Sequence, residues 1–153
     1  MVMIGVVVVA AIGPGEVERV AVDPQSAVAP FLNGCDYWDS YRMLVAGVDP
    51  ADSAFLDAIA FQRGDLVAER PGERVYRGPA PGLVFYVSYA CSAAGQGMAA
   101  VQMSTVVRTN SRKGRVYFFF VRPVHRLLMP WALRHFVLKA VLARGGRSSG
   151  RSR

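Results

Sequence analysis

Two β-rich runs lying close together constrain this chain more than any other feature. LVFYVSYAC (83–91) and MAAVQMSTVVRTN (98–110) are separated only by SAAGQG, so they are expected to fold back on each other as an antiparallel hairpin. In the second run Ala99, Val101, Met103, Thr105 and Val107 share one face, while Gln102, Ser104 and Arg108 share the other. Leu83, Phe85, Val87, Tyr89 and Cys91 give the first run a matching apolar face. A sheet built on this hairpin has one wet face and one buried face, and the buried face needs a cover.

The cover follows directly in VYFFFVRPVHRLLMPWALRHF (116–136). As a strand, 116–121 would be apolar on both faces, which a sheet with one wet face cannot use. As a helix, at about 100° per residue, the segment gathers Tyr117, Phe120, Val124, Leu127, Leu128, Trp131, His135 and Leu138 on one side. Arg115, Arg122 and Arg126 gather opposite. The pattern predicts a long helix from about Arg112 to Ala143, its aromatic stripe on the sheet and its arginines in water. Pro123 and Pro130 each delete a helical hydrogen bond and are expected to bend it. The alternative is that Pro123 opens the helix and the FFF run precedes it as strand or loop. A membrane-spanning anchor fits poorly, because the three arginines interrupt the run.

Elsewhere the signals are weaker. VERVAV (17–22) reads as a strand, and QSAVAPFLNG as a short helix or turn broken at Pro30 and Gly34. Ser40 to Val45 reads as a strand with Asp36 and Asp39 near its entrance. A short helix starts after Asp49-Pro50, with Phe55, Leu56, Ile59 and Ala60 at helical spacing and Asp49 or Asp52 as its cap, and ends near Gly64. Turn clusters at Pro71-Gly72 and Pro79–Gly82 leave room only for short strands.

The apolar start, MVMIGVVVVAAIG, is too short to span a bilayer and lacks the basic region of a signal peptide. Residues 1–15 therefore read as an extension or first strand, 16–143 as one domain, and 144–153 as a basic, disordered tail. With 153 residues, 52% hydrophobic and 19% charged, the chain can bury a sizeable core. A cytoplasmic location is expected, and a homodimer is left open.

Charge is segregated along the chain. All eleven acidic residues lie at or before Glu73, against four arginines there; the remaining fourteen Lys and Arg follow with no carboxylate among them. A basic outer face explains this better than specific nucleic-acid binding, because no recognition module is present. Binding to an anionic membrane or to nucleic acid stays as a further alternative. Cys35 and Cys91 are expected to be free thiols, although a disulfide between them is not excluded by sequence. No metal-ligand spacing, phosphate-cradling glycine loop or nucleophile elbow occurs, so no cofactor and no metal are expected.

The segment STVVRTNSRKGRVYFFFVRPVHRLLMPWALR, most specifically over 104–127, resembles the C-terminal signature of a bacterial family of unknown function, and DYWDSYRM (36–43) resembles its early acidic-aromatic segment. That family is grouped with the START-like (SRPBCC, Bet v 1-type) helix-grip folds. The resemblance implies an α+β domain, with a curved antiparallel sheet around a long, proline-bent C-terminal helix. It implies binding of a hydrophobic, lipid- or polyketide-like small molecule between sheet and helix, or a cofactor-free polyketide-type cyclase or isomerase using the same cavity. The helical insertion expected before the central strands is shortened here to about DPADSAFLDAIAF.

Within that frame His125, Tyr117 and Tyr89 are the candidate catalytic groups: an imidazole for acid–base work and two phenols as donors. Tyr37, Trp38, Phe85, Val101, Met103, Phe120, Val124, Leu128 and Trp131 are the candidate ligand wall. Arg108 and Arg126 are expected to pair with Asp36 or Asp39, and His125 to hydrogen-bond the sheet or a loop carboxylate.

Overall fold

The computed structural model describes residues 16–62 and 64–148, with side chains through Arg144. Residues 1–15 and 149–153 lie outside it. Over the described residues the fold is α+β: one curved antiparallel sheet of six strands and two helices. The strands are β1 (Val17–Arg19), β2 (Tyr37–Ala46), β3 (Asp65–Arg70), β4 (Glu73–Ala80), β5 (Leu83–Gly95) and β6 (Met98–Thr109). Their order in the sheet is β1-β2-β6-β5-β4-β3, so β2 lies against the last strand. Helix α1 spans Ser53–Ile59 and helix α2 spans Arg112–Ser148, which carries the helix into the stretch expected to be a disordered tail.

Local chemistry explains these boundaries. The β5–β6 hairpin is tighter than expected: Gly95 pairs with Met98, and Gln96 and Gly97 turn the chain at φ 55° and 72°, the double positive φ of a type I′ turn. Asp52 caps α1 by accepting from the amides of Ala54 (2.9 Å) and Phe55 (3.3 Å). Ser111 does the same for α2, accepting from the Gly114 amide at 3.0 Å. A Cβ on Gly114 would lie 1.8 Å from the Gly82 carbonyl oxygen, so the first turn of α2 sits directly on the β4–β5 turn. That contact fixes where the long helix begins.

The main core lies between the sheet and the two helices. Tyr41, Met43, Val87, Tyr89, Val101 and Met103 from the strands meet Phe55 and Ile59 of α1 and Met129, Leu133, Val137 and Ala140 of α2. The second face of the sheet is drier than its sequence suggested. The segment before β2, including a 3-10 turn at Ala29–Leu32, packs Val22, Val28 and Phe31 against Val75, Val106 and Tyr86. Phe31 stacks on Tyr86 with ring centroids 4.3 Å apart.

Helix α2 is continuous through Pro123 and Pro130, so Pro123 does not open it. Its orientation reverses the expectation. Phe118, Met129, Ala132, Leu133, Val137 and Ala140 face the sheet, whereas Phe120 (71% exposed), Val124, Leu127 (79%), Leu128 and Trp131 (60%) face solvent. The helix is thus rolled by about half a turn relative to the aromatic-stripe reading. Two physical causes combine. Small and medium side chains let the helix approach the sheet closely, which a row of Phe and Trp would prevent. Polar partners on the sheet also select the phase. Asp39 is buried under the helix and is met by His125. Pro130 has no N–H for the carbonyl of Arg126 four residues back, and the Tyr41 hydroxyl reaches that carbonyl at 3.5 Å.

Candidate functional site

The site grows out of the alternation in β2. Tyr37, Asp39, Tyr41, Met43 and Val45 occupy every second position, and all are buried on the helix side. Asp39 is therefore an acid set into an apolar row, and it is 0% exposed. Its neighbour across the ladder on β6 is Thr105. A carboxylate in such a place requires hydrogen-bond partners.

Asp39 finds two of them. Its Oδ2 accepts from the Tyr37 hydroxyl at 2.8 Å and lies 3.0 Å from His125 Nδ1 on α2. Against an ionised carboxylate, which only accepts, the ring donates from Nδ1, and Nε2 is then the second functional atom of the ring. Asp39 Oδ1 and Thr105 Oγ1 are buried and have no hydrogen-bond partner among the described residues. Such unpaired atoms are costly, at about 1–3 kcal/mol each.

Arginines close the outer side of this pair. Arg126 Nε donates to the Tyr37 hydroxyl at 3.2 Å, and the guanidinium of Arg122 stands over the Tyr37 ring at 5.0 Å. Burial raises the Tyr37 phenol above its ordinary value, and the same cause pushes Tyr41 up to about 12. Both phenols are therefore neutral donors across the physiological range.

Beside the pair lies a concavity of about 170 Å³ between sheet and helix. Leu83, Phe85, Val107, Phe118 and Val121 form its apolar wall, and Gln62, Thr105, Tyr117 and His125 supply polar groups. Phe85 can lie here because its partner on β4 is Gly78, where a Cβ would meet the ring at 2.2 Å. A larger, open concavity of about 440 Å³ lies between the start of α1 and the β3–β4 turn. Three of its four charged groups are spent on structure: Arg74 pairs with Glu69, also of this lining, and with Asp57, and Asp52 caps α1 and pairs with Arg144.

Of the residues singled out in the sequence, His125, Tyr117 and Phe85 line the smaller concavity, and Tyr37 lies behind it through Asp39. The others are placed elsewhere. Tyr89 is fully buried, and its hydroxyl accepts from the Gln62 amide at 2.9 Å. Val101 and Met103 fill the core. Trp38 is on the opposite face of β2, because its odd offset from Tyr37 turns it away from the helix. Phe120, Val124, Leu128 and Trp131 are on the outer side of α2.

The expected arginine–carboxylate pairs do not form as drawn. Arg108 donates to the carbonyls of Phe31 and Asn33, holding the segment before β2. Asp36 accepts from the Thr109 amide (2.7 Å) and hydroxyl (2.9 Å), and this amide bond above all holds its carboxyl below the ordinary range. Cys35 and Cys91 are free, on opposite sides of the sheet, and burial raises the Cys91 thiol to about 11.

Asp39, Thr105, Gln62, Leu83, Val107, Phe118 and Val121 were missed as site residues. The signal for Asp39 was present: an acid in phase with Tyr37, Tyr41 and Met43 must meet a donor on whatever covers that face.

The sequence profile of a family described as a protein of unknown function, DUF2867, matches residues 49–132. The chain belongs to the DUF2867 family. The matched span begins after β2 and holds α1, β3–β6 and the first part of α2, including Phe85, Thr105, Tyr117 and His125. The DUF2867 match thus covers one half of the Asp39–His125 pair. Comparison with curated proteins and with solved structures gives no match. Among the described residues there is no cluster of His, Cys, Asp and Glu able to hold a metal ion, and no helix is long and apolar enough to cross a membrane.

Proposed function

We propose that this chain is a START-like helix-grip domain that binds a small apolar molecule between the sheet and α2, with His125 meeting the molecule's polar end. The observation that carries this reading is His125, held from behind by Asp39, on the wall of a mostly apolar concavity. A mostly apolar pocket with a few convergent polar groups is the usual form of a small-molecule site. The curved sheet and the long helix across it support the START-like placement.

Size narrows the ligand. An apolar cavity of about 150 Å³ holds benzene, so about 170 Å³ suits a single ring or a short chain. A full-length lipid or polyketide exceeds it. The unpaired hydroxyl oxygen of Thr105, on the concavity's lining, favours a ligand that brings a donor, such as a hydroxyl or an enol.

A second reading is favoured by the same pair: a cofactor-free isomerase or cyclase. Asp39 holds the imidazole in one tautomer, and Nε2 takes a proton from the carbon next to a bound carbonyl and returns it elsewhere. Orientation in the cavity supplies the remaining advantage.

Ligand-observed NMR with single-ring phenols and aryl ketones tests the binding reading. Binding is expected in the native chain and loss of it in Val121→Trp, which fills the concavity from the helix side. Equal binding by both would exclude this cavity as the site. For the enzymatic reading, exchange of ketone α-protons in D2O should exceed the buffer rate and fall at least tenfold in His125→Gln; a bound ketone that exchanges only at the buffer rate leaves binding alone.

A further inference from the structure

The outer side of α2 carries a feature that the cavity does not use. Leaving aside Tyr117 on the concavity wall, nine large apolar side chains between Val116 and Leu142 are exposed, among them Phe120, Leu127 and Trp131. Single exposed apolar residues are ordinary; a continuous row along about 39 Å of helix is not. The row cannot be relieved by rolling the helix inward, because the opposite side is occupied by Leu133, Val137 and Ala140 in the core and by His125 on Asp39.

Charge identifies what the row fits. Lys113 and Arg134 are exposed along the outer half of the helix, Lys139 is exposed at its margin, and none of the three makes an ion pair among the described residues. The chain has no carboxylate after Glu73, so nothing on this helix offsets them. A second copy docked helix to helix would set these cations against their own kind. A duplex nucleic acid would satisfy the cations and leave the Phe, Leu and Trp side chains in water. An anionic lipid surface satisfies both: acyl chains take the apolar row, and phosphates take the flanking ammonium and guanidinium groups. No described helix qualifies as a membrane span, which leaves the geometry of a helix lying in the headgroup plane.

We propose that the outer face of α2 docks on an anionic lipid surface, with Phe120, Leu127 and Trp131 entering the headgroup boundary and Lys113, Arg134 and Lys139 on lipid phosphates. This rests on the exposed row and its charges and is independent of what the cavity binds.

Co-sedimentation of the full chain with phosphatidylcholine vesicles, with and without half phosphatidylglycerol, tests it. Binding is expected to the anionic vesicles only, and to weaken with salt. Each of Lys113→Gln, Arg134→Gln and Lys139→Gln should weaken it by about fivefold. Leu127→Ser with Trp131→Ser should abolish it while circular dichroism and thermal unfolding stay unchanged. In a Trp38→Phe background, Trp131 fluorescence should shift to the blue on binding. The proposal is overturned by no binding to the anionic vesicles, by equal binding to neutral ones, by preference for a duplex oligonucleotide over vesicles, or by a dimer in light scattering that Leu127→Ser with Trp131→Ser turns into monomer.

Discussion

The two sides of α2 are both apolar, yet one is core and the other is surface. The inner side uses Ala132, Leu133, Val137 and Ala140; the outer side uses Phe119, Phe120, Leu127 and Trp131. Judged by hydrophobicity alone, the outer side has the stronger claim to the sheet. What decides is fit and polar pairing: modest side chains allow close approach, and the buried acid on β2 finds its imidazole in only one rotation. A helix with two apolar sides is oriented by its few polar contacts.

The contrast is broken most severely from the inside. Leu133→Ala should cost about 2–5 kcal/mol, the range for emptying a filled core position. Leu127→Ala, at the same chemistry on the outer side, should stay within about 0.5 kcal/mol. Urea unfolding of the two variants measures the difference directly, and similar costs would mean that the helix phase is wrong.

Removing the polar contact comes next. His125→Ala leaves the carboxylate of Asp39 buried with Tyr37 as its remaining partner and should cost about 2–3 kcal/mol. The double variant Asp39→Asn with His125→Ala should be less destabilised than the sum of its singles, which a double-mutant cycle reads as coupling. Additive costs would deny that the two residues act together. Gly78→Ala sharpens the cavity side of the comparison. It pushes on the Phe85 ring, should cost about 1–2 kcal/mol through overpacking, and should weaken any cavity ligand, readable in the same NMR titration.

The smallest effect concerns pH and lies away from both sides of the helix. The Asp36 carboxyl is lowered in the folded chain, chiefly by the Thr109 amide. A lowered acid contributes stability above its unfolded value and loses it as pH falls through the folded one. Urea midpoints should therefore drop on acidification below the ordinary carboxylate range, slightly more in the native chain than in Asp36→Asn. Because this carboxyl is largely exposed, the difference is small.

Much of the fold was legible because local chemistry was consistent. The alternation in 83–91 and 98–109 gave the central hairpin, Asp52 gave the start of α1, and the long apolar-basic run gave α2 with its start at Arg112. The rotation of α2 was not legible, because Phe120 and Trp131 raise the apolar pattern on the side that remains exposed. The cover over the second sheet face was also missed, since Val28 and Phe31 stand in a Pro- and Gly-broken segment with no periodicity to read. Of the site, His125, Tyr117 and Phe85 were legible; Asp39 was seen but assigned the wrong partner. Arginine is the habitual mate of a carboxylate, yet here Arg126 stops at the Tyr37 hydroxyl and the imidazole reaches further in.

The proline at position 130 has a consequence for how such a rod is indexed. By withholding one amide it exposes one carbonyl, and Tyr41 of the sheet is the group that reaches it. Together with the aspartate two residues earlier on the same strand, this makes a two-toothed key: either tooth would be left in a dry slot if the cylinder turned. Grease holds the rod down, and the teeth tell it which way up to lie.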